Sequence, residues 1–358
     1  MESNKSIKIW IVSNCRPNSG WGTYTANLYF AVGDRARFIN LFGSSGPGGC
    51  LGENALISGN SRFRPILARS FPKLYFYSLL KSMKEERKEG LLVHYAYNLL
   101  PPIGNRDIDI VTIHDLVFLS KWYSNEPKYR SLYSKRLLKR YLSFKNIITV
   151  SNDVKKKLSL ISDSKEIEVI YPPCPPSFKR LEVTDSDKKK LNLPTDKILI
   201  LSPSNSKPWK NLDIVSRVMK KLGDKFVLVR VGPEIGIGIT FSQVDMDTLN
   251  LLYNVCDSLL FPSLEEGFGF PLVEAMRTGL PAVVSDIDVF HEIAADAVEY
   301  VNPYDVDSIV EGIFRALNKS EELRKIGSRR SELFSLEIFR NKMLTFYDRV
   351  GRNIISKG

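Results

Sequence analysis

Short apolar, β-branched runs alternate with helix-length segments along this chain, and they do so in two series. The first series falls at 7–12, 91–95, 110–114, 147–150 and 168–171; the second at 198–201, 226–231, 259–261, 282–285 and 299–301. A strand that is apolar throughout is buried on both faces, and crossovers of helix length join parallel neighbours. Each series therefore predicts a doubly wound α/β domain, an open parallel sheet covered by helices. Between them stands Pro172-Pro173-Cys174-Pro175-Pro176, four prolines in five residues. That run excludes a helix or a central strand and predicts a linker. The expected organisation is a Rossmann-like N-terminal domain over 1–176 and a second over 177–335. Leu333, Leu336, Phe339, Met343, Leu344 and Tyr347 recur at helical spacing, so 336–358 is read as a helix crossing back to the first domain. In this architecture ligands bind at the carboxyl ends of strands, here in a cleft that the two domains face.

Composition agrees with that class and excludes others. A length of 358 residues suits two domains, and 43% hydrophobic with 25% charged residues excludes a disordered chain. No run is long and apolar enough to cross a bilayer, and the start, Met-Glu-Ser-Asn-Lys, has no apolar leader. The expected location is the cytoplasm, including the inner face of a membrane. Cys15, Cys50, Cys174 and Cys256 are far apart with no C-x-x-C pair, and His94, His114 and His291 are equally scattered. Neither a disulfide framework nor a His/Cys metal site is expected.

The most informative segment runs from Leu259 to Asp286, L-L-F-P-S-L-E-E-G-F-G-F-P-L-V-E-A-M-R-T-G-L-P-A-V-V-S-D. A strand ends at Pro262-Ser263, and a loop with Glu266, Gly267 and Gly269 follows. Pro271 stands where a first helical residue is favoured and Gly279 where a C-terminal cap is favoured. A short helix thus starts directly after a glycine loop, which makes an anion site of its N-terminus. Glu266 and Glu274, placed in the first turn, bracket it; carboxylates repel an anion but accept from the hydroxyls of a ribose or a hexose. A second segment, L-S-P-S-N-S-K-P-W-K-N from Leu201, leads from a strand to a helix and offers Lys207 and Lys210. Lysines at a helix start are mildly unfavourable unless they face an anion. Read blandly, the loop glutamates and these lysines are solvated side chains near helix starts.

The string E-G-F-G-F-P-L-V-E from Glu266 to Glu274 resembles the E-x7-E signature of retaining glycosyltransferases of the GT-B fold, glycosyltransferase family 4. Leu249 to Tyr253 resembles the family's L-x-x-L-Y helix, Thr278 to Asp286 its x-G-x-P-V-V-x-S-D, and Asp296 to Pro303 its closing D-A-x-x-x-x-x-P. The likeness is closest over 195–320 and looser over 7–178. It implies two Rossmann-like domains facing across a cleft, with acceptor binding in the first and nucleotide-sugar binding in the second. It implies that Glu274 binds the nucleotide ribose, while Glu266 and the N–H groups of Gly267, Phe268, Gly269 and Phe270 hold the sugar and diphosphate. Lys210 matches the family's K-N or K-G cation; the Arg that many relatives carry six residues earlier is Ser204 here, so either Lys207 substitutes or the second cation is missing. Gly20 and Gly22 in N-S-G-W-G-T-Y match the loop set against the donor phosphate and the acceptor. His114 in I-H-D-L matches the histidine that contacts the donor sugar, with Asp115 placed to orient it.

The implied activity moves a hexose from a UDP- or GDP-linked sugar to a glycan, lipid-linked or protein acceptor. It needs no cofactor and no metal: the one D-x-D spelling, Asp245-Met246-Asp247, lies at a helix start and reads as capping. A donor phosphate oxygen would take the acceptor's proton in a front-face attack. A sugar-nucleotide epimerase on the same fold, and a membrane- or nucleic-acid-binding protein on a degenerate scaffold, are the alternatives. The nucleobase pocket is expected from backbone near Gly232 and Pro262, His94 is a second acceptor-cleft candidate, and His291-Glu292 is read as a helix start.

The net charge is +11, and residues 1–178 hold +12 of it while 179–358 hold −1. Between Lys121 and Lys145 stand eight basic residues and one acid, with Tyr129, Leu132, Tyr133, Leu137, Tyr141 and Leu142 at helical spacing. This predicts an amphipathic basic helix that packs its apolar stripe into the first domain. Its charges are left to solvent, or to an anionic membrane surface, ahead of nucleic acid.

Overall fold

In a computed structural model the described residues are 9–13, 20–33, 35–40, 91–96, 102, 104–120, 128–162 and 166–355, with backbone alone at 21, 37, 39, 40, 128–134 and 353–355. They divide into two compact units, Met1–Pro173 with Leu336–Gly358, and Cys174–Ser335. The predicted strand positions at 7–12 and 121–127 of the basic helix extend into residues outside that set, as do the loop before Gly20, Cys15 and Cys50.

The first unit contains β1 (Ile9–Ser13), α1 (Gly20–Val32), β2 (Ala36–Asn40), β3 (Leu92–Tyr95), β4 (Ile110–Ile113), α2 (Lys128–Tyr141), β5 (Asn146–Thr149), α3 (Asn152–Ser159) and β6 (Ile167–Val169). The six strands form one sheet in the order β2-β1-β3-β4-β5-β6, every pair parallel. β1, β3 and β4 are buried at every position, the signature of strands covered on both faces.

The second unit opens with α4 (Asp185–Lys190) and continues β7 (Ile198–Pro203), α5 (Leu212–Leu222), β8 (Phe226–Val231), β9 (Ile239–Phe241), α6 (Met246–Val255), β10 (Ser258–Phe261), α7 (Phe270–Thr278), β11 (Ala282–Ser285), α8 (Asp288–Ala294), β12 (Glu299–Val301), α9 (Val306–Asn318) and α10 (Ser320–Ser331). Its sheet runs β12-β11-β10-β7-β8-β9, again parallel throughout. Counted from β7, this is the strand order 3-2-1-4-5-6 read from the far edge, the doubly wound order with its reversal between the first and fourth strands. Ile200, Leu228, Leu260 and Val283 from the sheet pack with Ile214, Val215 and Val218 of α5 and with Ile309, Ile313 and Ala316 of α9. The reversal lies between β7 and β10, and in folds of this order ligands bind outside the carboxyl ends of the strands at that point.

β2 and β9 are the strands that periodicity does not reveal. Both are sheet edges, and an edge needs fewer apolar positions; β9 is three residues long and none of them is fully buried.

α11 (Leu336–Ile355) belongs to the first unit. It buries Phe339, Met343, Phe346, Tyr347 and Val350, and its Arg340 donates to the Ala31 carbonyl of α1. Asp348 pairs with Arg35 at 3.1 Å. A buried polar chain ties this helix to the sheet. The Tyr347 hydroxyl lies 2.7 Å from His94 Nδ1, His94 Nε2 lies 2.7 Å from Thr112 Oγ1, and that oxygen lies 3.3 Å from the Tyr24 hydroxyl. His94 is therefore a core side chain, fully buried, and not a residue of an acceptor cleft. Burial lowers its pKa to about 3, with His114 adding to the effect.

α2 buries Leu137, Leu138 and Tyr141 while Lys135, Arg136 and Lys139 remain exposed. It ends before Lys145, which lies beyond the helix and pairs with Asp107 at 2.5 Å.

Candidate active site

β7 delivers its chain to a loop that turns sharply at a short helical turn, Pro208–Lys210, and then starts α5. Asn211, between them, has left-handed backbone (φ 57°, ψ 41°), a conformation that asparagine tolerates better than most residues. Its amide donates to Pro262 O at 3.2 Å and to Pro303 O at 2.7 Å, so one side chain pins the loops that follow β10 and β12. Leu264 N donates to Trp209 O at 2.7 Å, a further tie between the loops after β7 and β10.

These ties bring Lys210 to Glu266. Lys210 Nζ lies 2.5 Å from Glu266 Oε1, and each side chain is 13% exposed. The ammonium also lies 5.4 Å from the centroid of the Phe261 ring. A half-dry pair of this kind holds both charges in fixed positions while leaving both reachable. Lys207 is exposed, 6.0 Å over the Trp209 ring, and does not join the pair.

The loop after β10 ends at Gly269 (φ 105°, ψ 61°), where a Cβ would meet the Phe290 ring at 3.0 Å. Only glycine fits that backbone and that gap. α7 then begins at Phe270 with Pro271 in its first turn, and Gly279 closes it with φ 78°. Gly267 is buried, and Phe268 is buried edge-on against Phe270 and Phe334, so this residue's ring anchors the loop from below.

Glu274 is the fifth residue of α7, in the second turn and not the first, because the helix starts at Phe270. Its side chain is buried and its Oε2 accepts from the Tyr253 hydroxyl of α6 at 2.7 Å. Burial raises its pKa to about 7, opposed by that hydrogen bond. Asp245 caps α6 by accepting from Thr248 N at 2.7 Å, which uses the D-x-D spelling for structure. Among the described residues no group of three or more His, Cys, Asp or Glu is arranged to hold a metal ion.

The remaining candidates lie in the first unit. His114 follows β4 directly, and its Nε2 lies 3.0 Å from Ala96 O. That carbonyl requires a proton on Nε2, and burial lowers the imidazole to about 4, so His114 is neutral. The Tyr24 ring meets it edge-on at 4.6 Å. Asp115 accepts from Val117 N at 3.2 Å. Gly20 is the first residue of α1, and Gly22 lies inside its first turn and is buried, so neither belongs to a free loop among the described residues. In the second unit His291 sits in the middle of α8, its Nε2 2.6 Å from Asp286 Oδ1 and its ring stacked on Tyr300 at 3.9 Å, so it does not start the helix.

Arg230 went unread in the sequence. It lies on β8, is fully buried, and donates to Ser202 O and Ser204 O and, at 3.2 Å, to Val231 O. Its signal was a lone charge inside F-V-L-V-R-V, a strand otherwise apolar. Of the buried polar atoms without a hydrogen-bond partner, Arg230 Nε, Thr240 Oγ1, Ser263 Oγ and Ser285 Oγ all belong to this unit, on or just after β8, β9, β10 and β11.

Residues 183–332 match the model of the family described as glycosyl transferases group 1. The O-antigen chain mannosyltransferase RfbU of Salmonella typhimurium is 29% identical over 272 residues, which are 70% of each chain. The serotype-specific mannosyltransferase WbdA of Escherichia coli is 27% identical over 262 residues, 64% of this chain and 32% of WbdA, so this chain spans about a third of that relative. Among solved structures, sucrose-phosphate synthase (tll1590) of Thermosynechococcus elongatus superposes with a TM-score of 0.72 at 18% identity, over 98% of this chain and 100% of the other. The fold is thus the GT-B architecture of two Rossmann-like units that the strand pattern and the resemblance imply.

Proposed function

We propose that this chain, whose residues 183–332 match the glycosyl transferases group 1 model, moves a hexosyl residue from a nucleotide-sugar to an acceptor hydroxyl. Transfer proceeds with retention and without a metal ion. The names of RfbU and WbdA favour mannose as the sugar. The observation that carries the reading is the Lys210–Glu266 pair at the reversal point of a doubly wound sheet, where such folds bind nucleotides.

Each role follows from chemistry. Lys210 exchanges its carboxylate partner for the donor diphosphate and offsets the charge that develops as that group leaves. Glu266, released, accepts from sugar hydroxyls, and the N–H groups of Gly267, Phe268, Gly269 and Phe270, at the start of α7, hold the phosphates. Glu274 accepts from the ribose hydroxyls. His114, neutral, serves the sugar, and Gly20 and Gly22 serve the phosphate or acceptor side. The acceptor oxygen attacks the anomeric carbon as the carbon–phosphate-oxygen bond breaks. The bonding pair stays on the diphosphate, and a phosphate oxygen takes the acceptor's proton. Acceptors are glycans, lipid-linked or on protein. The exposed Lys135, Arg136 and Lys139 of α2 suit an anionic membrane surface, each contributing about 1 kcal/mol. Co-sedimentation with vesicles containing anionic lipid, and none with neutral vesicles, is expected; equal binding to both contradicts it.

UDP- and GDP-hexoses in EDTA test the reading. One donor is expected to raise the melting temperature of the wild type and to fail with Lys210→Ala. If no donor stabilises the wild type, the reading is wrong. If a donor sugar is returned epimerised and untransferred, the epimerase alternative replaces it.

A further inference from the structure

The donor site just described is short of positive charge. Lys210 is matched by Glu266 at 2.5 Å, so the pair contributes nothing net, and Lys207 is out in solvent. A diphosphate bound here would meet one cation already in use. Arg230 is the charge that no acid offsets. Its partners are three backbone carbonyls, and no carboxylate among the described residues faces it. A buried guanidinium without a counter-charge is expensive, and chains rarely keep one without a use for it.

Its placement suggests the use. Arg230 is registered opposite Ser202 on β7, and its side chain reaches past the end of that strand to the Ser204 carbonyl. It therefore lies beneath the loop that carries Lys207 and Lys210. Gly232 makes the room: a Cβ there would fall 2.2 Å from Ser204 O and 3.1 Å from Arg230 Nη2. Arg230 Nε has no partner, and neither have the buried hydroxyls of Ser263 and Ser285, just past β10 and ending β11. Orphaned polar atoms so placed along the carboxyl end of one sheet suit a polar ligand. Burial lowers Arg230 only to about 10, so it keeps its charge at neutral pH.

We infer that Arg230 is a positioning residue of the donor site: it fixes the backbone at Ser204 and supplies, from beneath the loop, the uncompensated positive charge that favours a diphosphate. This rests on the transferase reading above. Lys210 makes the direct contact; Arg230 sets the potential and the loop geometry in which Lys210 works.

The test compares binding of nucleoside diphosphates and monophosphates (UDP with UMP, GDP with GMP) to the wild type, Arg230→Lys and Arg230→Gln by calorimetry. Arg230→Gln is expected to weaken the diphosphate by about tenfold or more and the monophosphate by less, so that preference for the diphosphate collapses. Arg230→Lys, which keeps the charge, is expected to retain that preference. Arg230→Gln with Ser204→Arg, which returns a cation to the loop, is expected to restore it. Unchanged preference in Arg230→Gln overturns the inference, and so does an equal loss for both nucleotides, the mark of a merely structural role. If Arg230→Gln does not fold, the Arg230→Lys variant decides: loss of the preference with the charge kept overturns the inference. A wild type that binds none of the four nucleotides overturns the transferase reading itself, a result separable from any of these.

Discussion

Tyr253 and Glu274 share one hydrogen bond of 2.7 Å, and in the proposed role of Glu274 the proton balance of that pair sets how a ribose is held. A carboxyl group accepts from hydroxyls far better when ionised, because the acid form spends one oxygen as a donor, and burial places the Glu274 transition at about 7. Donor affinity is therefore expected to rise as pH increases through about 7 and to level off above it. Calorimetry across that range checks this, and Glu274→Gln should bind weakly with no such slope. The stability effect has the opposite sign. A carboxyl whose folded pKa is raised stabilises the fold below its unfolded value of about 4.3 and loses that contribution as pH rises through the folded value. Lys210 and Glu266 were legible as residues because glycine, proline and glutamate fall at fixed offsets around them. Their pairing was not, since it depends on Asn211 and Trp209 tying separate loops together. Arg230 was readable only as an anomaly in a strand; nothing in one sequence says that its partners are carbonyls.

At the scale of elements, α7 was legible almost residue for residue, since Pro271 and Gly279 mark its ends by stereochemistry. Gly269 sets its angle. Gly269→Ala puts a Cβ against Phe290 in left-handed backbone, and a loss of roughly 1–3 kcal/mol in urea unfolding is expected, with donor affinity falling too. The link between α11 and the first sheet was half legible. Helical spacing revealed the helix, but the contact of Tyr347 with His94 joins residues 253 apart. That contact makes a pH prediction. His94 and His114 are held neutral, at about 3 and about 4, against about 6.5 in the unfolded chain. The unfolded state binds more protons in that interval, so the first unit should lose stability as pH falls from about 6.5 towards 4 and be indifferent above it. Hydrogen exchange resolved by unit measures this. Tyr347→Phe strands His94 Nδ1 and should cost roughly 1–3 kcal/mol.

At the scale of the whole molecule, alternation of apolar runs was enough to foretell two parallel sheets, because buried parallel strands leave no choice of composition. What it passed over were two of the four edges, β2 and β9, and β9 is a three-residue strand with no fully buried position. Charge divides the same way as chemistry. The half that resembles a donor-binding domain carries −1 and sets Arg230 and Lys210 at buried and half-buried positions; the other half carries +12 and displays some of it on α2. In the proposed function the excess bears on the acceptor and its surroundings, while transfer needs only well-placed single charges. Transfer from a nucleotide-sugar with retention and no metal is measured by proton NMR of the anomeric signals during turnover of α-linked UDP- and GDP-hexoses in EDTA. Slow donor hydrolysis suffices when the acceptor is unknown. The α-anomer is expected first, and Lys210→Ala is expected to abolish it; initial release of the β-anomer overturns retention, and turnover only after a divalent metal is restored overturns metal independence.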